Sequence, residues 1–305
     1  MMIYDIIIIG SGPAGLTAAI YASRAKLTAV VCEKDVMGCG AIAVTEQVDN
    51  YPALMGISGY ELGEKMRAHA KQTGSEIITA EVSAIRPGEH GFDISFKDGR
   101  TFQSRTVIYA AGTSYRRLDI PGDKLLGVSY CAACDGAFYE NRTAAVIGGG
   151  DTALTDALYL SKIAGKVLLI HRRSEFRANP SLVERVKNTP NIELVLNAKP
   201  LRILGEKSVT GLEITQNDLN KTLKTDGVFA AIGSVPNTMI IESLVALNKN
   251  GYIIAAEDGI TSLKGFFAAG DVRTKAMRQV ITACSDGANC VNSVCEYLNS
   301  KPIIS

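Results

Sequence analysis

The sequence predicts an α/β protein made of two parallel-sheet units. Three observations carry this. Two glycine-rich turns, starting 138 residues apart at Gly10 and Gly148, each follow an apolar strand and open a helix. The strands read as continuous β-branched or aliphatic runs, as strands covered on both faces do. The length of 305 residues is about twice a common domain size of roughly 150. With 47% hydrophobic residues the chain can fill more than one core, which excludes a disordered protein. Charge is balanced, 32 Lys+Arg against 31 Asp+Glu, so no global attraction to nucleic acid or anionic membrane is expected. Trp is absent and aromatics make up 6%, which disfavours modules built on aromatic platforms. The start, Met1-Met2-Ile3-Tyr4-Asp5, has no basic n-region or signal-like apolar stretch. No apolar run approaches the roughly 18 residues of a membrane span. A cytoplasmic enzyme with no nucleic-acid and no membrane partner is the expectation.

The elements follow in order. Tyr4 to Ile9 is the first strand, Leu16 to Ala25 a helix of good formers, and Thr28 to Cys32 a second strand ending at Glu33, which together make one βαβ unit. Glu76 to Ser104 reads as short strands with turns at Pro87-Gly88 and Asp98-Gly99, a β-meander. The βαβ pattern then recurs, with a strand over Arg142–Ile147, a helix over Ala153–Ala164 and a strand over Lys166–Ile170. Gly265 to Asp271 is a further buried strand ending in Gly-Asp, followed by a helix from about Gln279 to Leu298. The spacing of the two units is too wide for a solenoid. Hinges are expected near Gly112-Thr113 and Pro236-Asn237, at Gly/Pro/polar steps after apolar strands.

Gly10-x-Gly12-x-x-Gly15 stands where a dinucleotide fingerprint demands it. The first glycine allows the tight turn, the second admits a pyrophosphate to the backbone, and the third lets helix and strand pack closely. Glu33, eighteen residues after Gly15, can accept hydrogen bonds from a ribose diol. In the second turn Gly148, Gly150 and Ala153 fill the same roles. Here the next strand ends in His171-Arg172-Arg173, with Arg177 beyond. Guanidinium forks bind a 2′-phosphate that a carboxylate would repel, so NADP(H) is favoured over NAD(H); the alternative is a solvated basic strand end. The predicted class is thus two Rossmann-like dinucleotide-binding domains.

Seven cysteines, an odd number, do not make a secretory disulfide framework. Only Cys131-Ala-Ala-Cys134 has a spacing with chemistry in it. It suits a redox disulfide, the alternative being two core cysteines. Zinc would need a second pair or nearby histidines, and the only histidines are His69, His90 and His171; no metal is expected. Asp135 follows directly, either a proton donor to a leaving thiolate or the ordinary turn residue of Asp135-Gly136. Cys284, Cys290 and Cys295 fall in the last helix at spacings 6 and 5, as small core fillers do.

These motifs resemble the low-molecular-weight bacterial thioredoxin reductases, within the FAD/NADPH pyridine nucleotide-disulfide oxidoreductases. The likeness runs through Gly-Ser-Gly-Pro-Ala-Gly at 10–15, Cys-Ala-Ala-Cys-Asp-Gly at 131–136, Gly-Gly-Gly-Asp-Thr-Ala at 148–153, His-Arg-Arg-Ser-Glu-Phe-Arg-Ala at 171–178, Gly-Asp-Val at 270–272 and Arg278-Gln279-Val280. It implies a discontinuous FAD domain, residues 1–113 and 241–305, with an NADPH domain, residues 114–240, inserted into it. FAD would be held by the first turn (Gly10, Ser11, Gly12, Pro13, Ala14, Gly15), by Glu33, and by Gly38, Gly40, Asn50, Val82, Ala111 and Gly112. Asp271, after Gly270, would hold the ribityl chain, and Arg278, Gln279 and Val280 would line the flavin. NADPH would meet Gly148, Gly150, Asp151, Thr152, Ala153, His171, Arg172, Arg173 and Arg177. The implied activity passes electrons from NADPH through FAD and the Cys131–Cys134 disulfide to thioredoxin, in a homodimer whose inserted domain rotates between two states.

Some residues depart from that pattern. Gly38-Cys39-Gly40 replaces a Gly-Gly-Gln sequence, and Gln47-Val-Asp-Asn-Tyr-Pro52 arrives one residue late. A second disulfide at Cys39 would need a partner five residues on, where the chain has Val44. Ala137 stands where the family often has an aromatic, and Leu126 where it often has a basic residue. The altered flavin loop motivates one alternative, a same-fold reductase with a ferredoxin donor or another thiol–disulfide partner. A redox-sensing flavoprotein without turnover is a second, of a different class.

Overall fold

The computed structural model describes residues 2–36, 38–45 and 48–300, so Gln47 lies outside the described residues. Two compact units emerge, Met1–Ser114 with Val235–Ser305 and Tyr115–Ser234.

The first unit begins with β1 (Ile3–Ile9), α1 (Pro13–Arg24) and β2 (Ala29–Glu33), followed by α2 (Gly59–Gln72). β1 is parallel to β2, with Ile6–Ile9 opposite Ala29–Cys32, and Ile6, Ile7 and Ile8 are wholly buried. That is the two-faced burial a run of isoleucines implies. Pro13 occupies the first turn of α1, where its missing N–H costs nothing. α2 is capped by Ser58, whose side chain accepts the Glu61 N–H. β3 (Glu76–Thr79) pairs parallel with β2, while β4 (Val82–Gly88), β5 (Gly91–Phe96) and β6 (Thr101–Tyr109) form an antiparallel meander. The turn between β4 and β5 falls on Glu89-His90; Pro87 and Gly88, expected as the turn, end the strand instead. Pro87 belongs to β4, which lies at the sheet margin, where its missing N–H is tolerated.

The chain leaves through β7 (Thr113–Tyr115) into the second unit. That unit contains β8 (Val128–Ser129), the one-turn α3 (Ala132–Asp135), β9 (Thr143–Ile147), α4 (Asp151–Leu160), β10 (Lys166–Ile170), α5 (Pro180–Lys187) and β11 (Ile192–Val195). A three-stranded antiparallel sheet follows, β12 (Ala198–Leu204), β13 (Gly211–Gln216) and β14 (Leu219–Lys224), and then β15 (Gly227–Ala230). The order β11-β10-β9-β15-β8 is parallel throughout, with Ala144, Val146, Val167 and Leu169 packed against α4 on one face.

β16 (Ser234–Pro236) returns the chain and pairs with β7. β17 (Phe266–Ala268) joins the first sheet beside β6, giving β3-β2-β1-β6-β5-β4 with β17 off that path. α6 (Val280–Asn299) opens with a reciprocal cap between Gln279 and Thr282 and packs on α1 so closely that a Cβ on Gly287 would run into the Ala14 carbonyl. Cys290 is fully buried against the Ala268 carbonyl and burial pushes its thiol up to about 12. Cys284 and Cys295 are half-buried against the same core. Among the described residues no helix is long and apolar enough to cross a membrane.

Candidate functional site

In the first unit the glycine turn joins β1 to α1. Gly10 adopts φ +102°, and a Cβ there would stand 2.5 Å from the Ala110 carbonyl oxygen; only glycine accepts both demands. A Cβ on Gly15 would collide with the Gly10 carbonyl, whereas the nearest atom to one on Gly12 would be the Gly40 Cα at 3.8 Å. The second glycine thus leaves an open backbone at the start of α1, whose cap carries no side-chain hydrogen bond. The 38–40 loop covers this turn. The Gly38 carbonyl accepts from Ser11 Oγ at 2.7 Å and from the Arg67 guanidinium. Glu33, buried at the end of β2, accepts Ser11 N–H at 2.8 Å on one carboxylate oxygen and Asp35 N–H on the other. The first oxygen also lies 2.8 Å from Ser11 Oγ and shares that hydroxyl's single proton with the Gly38 carbonyl. The carboxylate therefore stands at the turn, as its sequence position predicts. Cys39 faces away, packed against Gly63 with its thiol donating to Glu64 at 3.5 Å, and burial followed by Glu64 raises its pKa.

The Gly270-Asp271 turn follows β17 and stands beside α1, since a Cβ on Gly270 would lie 2.9 Å from Ala14 Cβ. Asp271 Oδ1 is buried and, among the described residues, meets no hydrogen-bond donor. Burial raises the Asp271 pKa, opposed by Lys275 and Arg278. A buried acceptor without a donor is uncommon, and a hydroxyl-bearing chain lying here would satisfy it. Asn50 Nδ2 donates to Gln279 Oε1 at 3.0 Å, and Arg278 lies 4.2 Å over the Tyr252 ring while donating to the Asp271 carbonyl. Ala111 and Gly112 present carbonyls to Asn237, and Val82 sits in β4 opposite Phe96. The open Gly12 backbone, Glu33 and the orphaned Asp271 oxygen fit the parts of a flavin dinucleotide: pyrophosphate, ribose and ribityl chain.

Sequence reading missed the group that holds this turn in place. Asp286, on α6, accepts from Gly270 N–H at 2.8 Å, from Arg273 Nε at 2.8 Å and Nη2 at 2.5 Å, and from Lys275 Nζ at 3.0 Å. The three charged side chains are 4–6% exposed. The one available signal was an acid between small residues, Ser285 and Gly287, inside an otherwise apolar helix stripe.

In the second unit Gly148 is hemmed in, a Cβ standing 2.5 Å from the Ala231 carbonyl oxygen and 2.6 Å from Ala153 Cβ, while Gly150 has open space. The 171–179 segment folds onto this turn through Arg177 N–H to the Gly149 carbonyl, 2.8 Å, and Asn179 N–H to Asp151 Oδ1, 2.7 Å. Arg172, Arg173 and Arg177 are all exposed, and among the described residues none is in a salt bridge, so their forks are available to an anion. Thr152 is exposed on the first turn of α4 and Ala153 is buried beneath it. His171 takes a different place: its ring is buried against Gly149, stacks on Phe176 at 5.3 Å and bonds the Glu175 carbonyl. Burial, then the neighbouring arginines, lower its pKa.

Cys131 and Cys134 form a disulfide around α3, with Cα atoms 5.3 Å apart. Cys131 caps the helix, its carbonyl accepting from Cys134 and Asp135 N–H. Asp135, half-buried, accepts Ser129 Oγ–H on Oδ2 at 2.6 Å.

Two dinucleotide-type frameworks in one chain, one of them carrying a cystine with a carboxyl beside it, define a nucleotide-dependent disulfide oxidoreductase. The profile of the pyridine nucleotide-disulphide oxidoreductases matches residues 4–287, and the chain belongs to that family. It is 40% identical over 302 residues to a thioredoxin reductase of Bacillus subtilis, covering 97% of this chain and 95% of that one. A thioredoxin reductase structure from Streptococcus pyogenes aligns with a TM-score of 0.92 at 36% identity, over 98% of this chain and 99% of the other. One from Giardia duodenalis gives 0.92 at 34% identity, over 98% and 100%. The family places the chain among oxidoreductases that use a flavin and a pyridine nucleotide.

Proposed function

We propose that the chain is an NADPH-dependent thioredoxin-disulfide reductase with bound FAD, acting as a homodimer in the cytoplasm. The observation that carries this reading is the Cys131–Cys134 cystine with Asp135 beside it, in the same unit as a glycine turn flanked by three exposed arginines. The FAD domain is the unit of residues 1–114 and 235–305, and the NADPH domain the unit of residues 115–234. The boundaries expected from sequence, 1–113 with 241–305 and 114–240, differ in assigning residues 235–240 to the second, although Asn237 is bonded to Ala111 and Gly112 of the first. The Gly10–Gly15 turn would hold FAD, with Glu33 for its ribose, Asp271 for its ribityl chain and Asn50, Arg278, Gln279 and Val280 to line its ring. When bound, FAD supplies the two-electron relay between nicotinamide and cystine.

The chain's own groups do the rest. The backbone at Gly150 and the first turn of α4, Asp151 to Ala153, receive the NADPH pyrophosphate. Arg172, Arg173 and Arg177 bind the 2′-phosphate, with His171 fixing the segment that carries them. After reduction, one thiolate of the Cys131/Cys134 pair attacks the thioredoxin disulfide. An S–S bond forms between the proteins and thioredoxin's other sulfur leaves as a thiolate. The remaining thiol of the pair, deprotonated, attacks the mixed disulfide, restoring the Cys131–Cys134 bond and releasing dithiol thioredoxin. Asp135 donates the proton that the leaving sulfur needs.

Anaerobic titration of the FAD-loaded protein with NADPH and, separately, NADH tests the reading. Charge-assisted hydrogen bonds of about 1.5–3 kcal/mol each support at least roughly a tenfold NADPH preference at subsaturating levels. Equal rates with both nucleotides, or reduction by ferredoxin with neither nucleotide effective, would overturn it.

A further inference from the structure

We propose that Ser129 is a positioning residue for the thiol–disulfide exchange step, holding the Asp135 carboxyl against the cysteine pair through one hydroxyl that also fixes the Cys131 backbone. This rests on the reading of Asp135 as the proton donor. Ser129 ends β8, is 5% exposed, and its strand is paired with β15. Its Oγ accepts the Cys131 N–H at 3.0 Å and donates to Asp135 Oδ2 at 2.6 Å. The Cys131 carbonyl lies 3.4 Å from the same oxygen. A hydroxyl has one proton, and the shorter contact to an ionisable carboxyl takes it. The oxygen therefore bridges the start of the Cys-x-x-Cys-Asp turn to its end.

The bridge matters differently in the two redox states. In the oxidised protein the S–S bond itself fixes the turn, with the backbone bonds from Cys134 and Asp135 N–H to the Cys131 carbonyl. Reduction breaks the S–S bond and gives two thiols, so the covalent tie is gone when the proton has to be delivered. The Ser129 hydroxyl, anchored in the sheet, still spans Cys131 and Asp135. General acids depend on placement within hydrogen-bond reach of the group they protonate, and small misplacements are costly in rate. A hydroxyl in the sheet thus acts through Asp135.

The test is a double-mutant cycle on the FAD-loaded enzyme, with Ser129→Ala, Asp135→Asn and both, reading the two half-reactions by stopped flow. Ser129→Ala should leave flavin reduction by NADPH unchanged and slow thioredoxin reduction about tenfold, equivalent to about 1.4 kcal/mol. Added to Asp135→Asn it should cause no further loss, because the two residues act in series. Ser129→Thr keeps the hydroxyl and should recover most of the rate, which a merely space-filling role of serine would not produce. Slowing of both half-reactions alike, or full additivity in the double variant, would overturn the positioning role. So would a wild-type oxidative rate in Ser129→Ala beside a slow Asp135→Asn. A full oxidative rate in Asp135→Asn would instead take down the proton-donor reading, and this proposal with it.

Discussion

Replacing Asp286 with alanine should be the most damaging single change outside the reacting groups. The carboxylate receives four hydrogen bonds, from Gly270 N–H, two arginine nitrogens and Lys275, all between 2.5 and 3.0 Å. Its loss strands two cations whose side chains are 5% and 6% exposed. Among the described residues Arg273 then keeps carbonyl partners alone, Thr274 at 2.8 Å and Ala255 at 3.3 Å. Removing one partner of a buried ion pair costs about 3–5 kcal/mol, about a fifth or more of the roughly 5–15 kcal/mol that holds a typical domain folded. The Gly270 N–H loses its acceptor too, so the Asp271 turn should loosen and FAD affinity should fall alongside stability. Urea unfolding, with FAD affinity measured by fluorescence on the apoprotein, reads both. The combined change Arg273→Met, Lys275→Met, Asp286→Leu should recover most of the lost stability, since apolar replacement of a whole buried cluster is often neutral. A loss below about 1 kcal/mol for Asp286→Ala, the scale of an exposed ion pair, would refute the reasoning.

Two further changes separate structure from chemistry. Cys39→Ser keeps a donor toward Glu64, and position 44 offers no second sulfur, so normal flavin content and turnover within about twofold of wild type are expected, the size of a small repacking effect; loss of turnover at full flavin content would make Cys39 a reacting group. Asp156, on α4, is pushed up to about 6 by burial. Its folded pKa lies above the unfolded value, so the folded state holds the extra proton and stability falls as pH rises from about 4 to about 6. Asp156→Asn should therefore raise the unfolding free energy measured in urea over wild type clearly at pH 8, by up to about 3 kcal/mol, and much less at pH 4. An equal difference at both pH values would show that burial does not govern this group.

Local chemistry made much of the fold legible. The isoleucine run of β1, the alanine-rich α1 and the glycine turn between them state one structure at three levels, propensity, burial and backbone conformation. Glu33 was equally readable, because the end of β2 is one βαβ unit from the turn. α2 and α5 were not singled out; both are polar helices with few buried side chains. The antiparallel sheet of β12 to β14 was also missed, its outer strand being almost wholly exposed. Asp286 works through partners distant in the chain, marked only by standing as an acid between Ser285 and Gly287, and Ser129 works through a single hydroxyl that nothing in its neighbours marks. His171 read as one member of a basic strand end, but its ring turns inward because Gly149 leaves room for it.

The central claim is that electrons leave the enzyme through Cys131 and Cys134. The most direct measurement is anaerobic reduction of FAD-loaded Cys131→Ser and Cys134→Ser variants by NADPH, followed by addition of oxidised thioredoxin. Both variants should bind FAD and bleach its oxidised band with NADPH as wild type does, yet transfer no electrons to thioredoxin. Reoxidation of the flavin by thioredoxin at the wild-type rate in either variant would contradict the account.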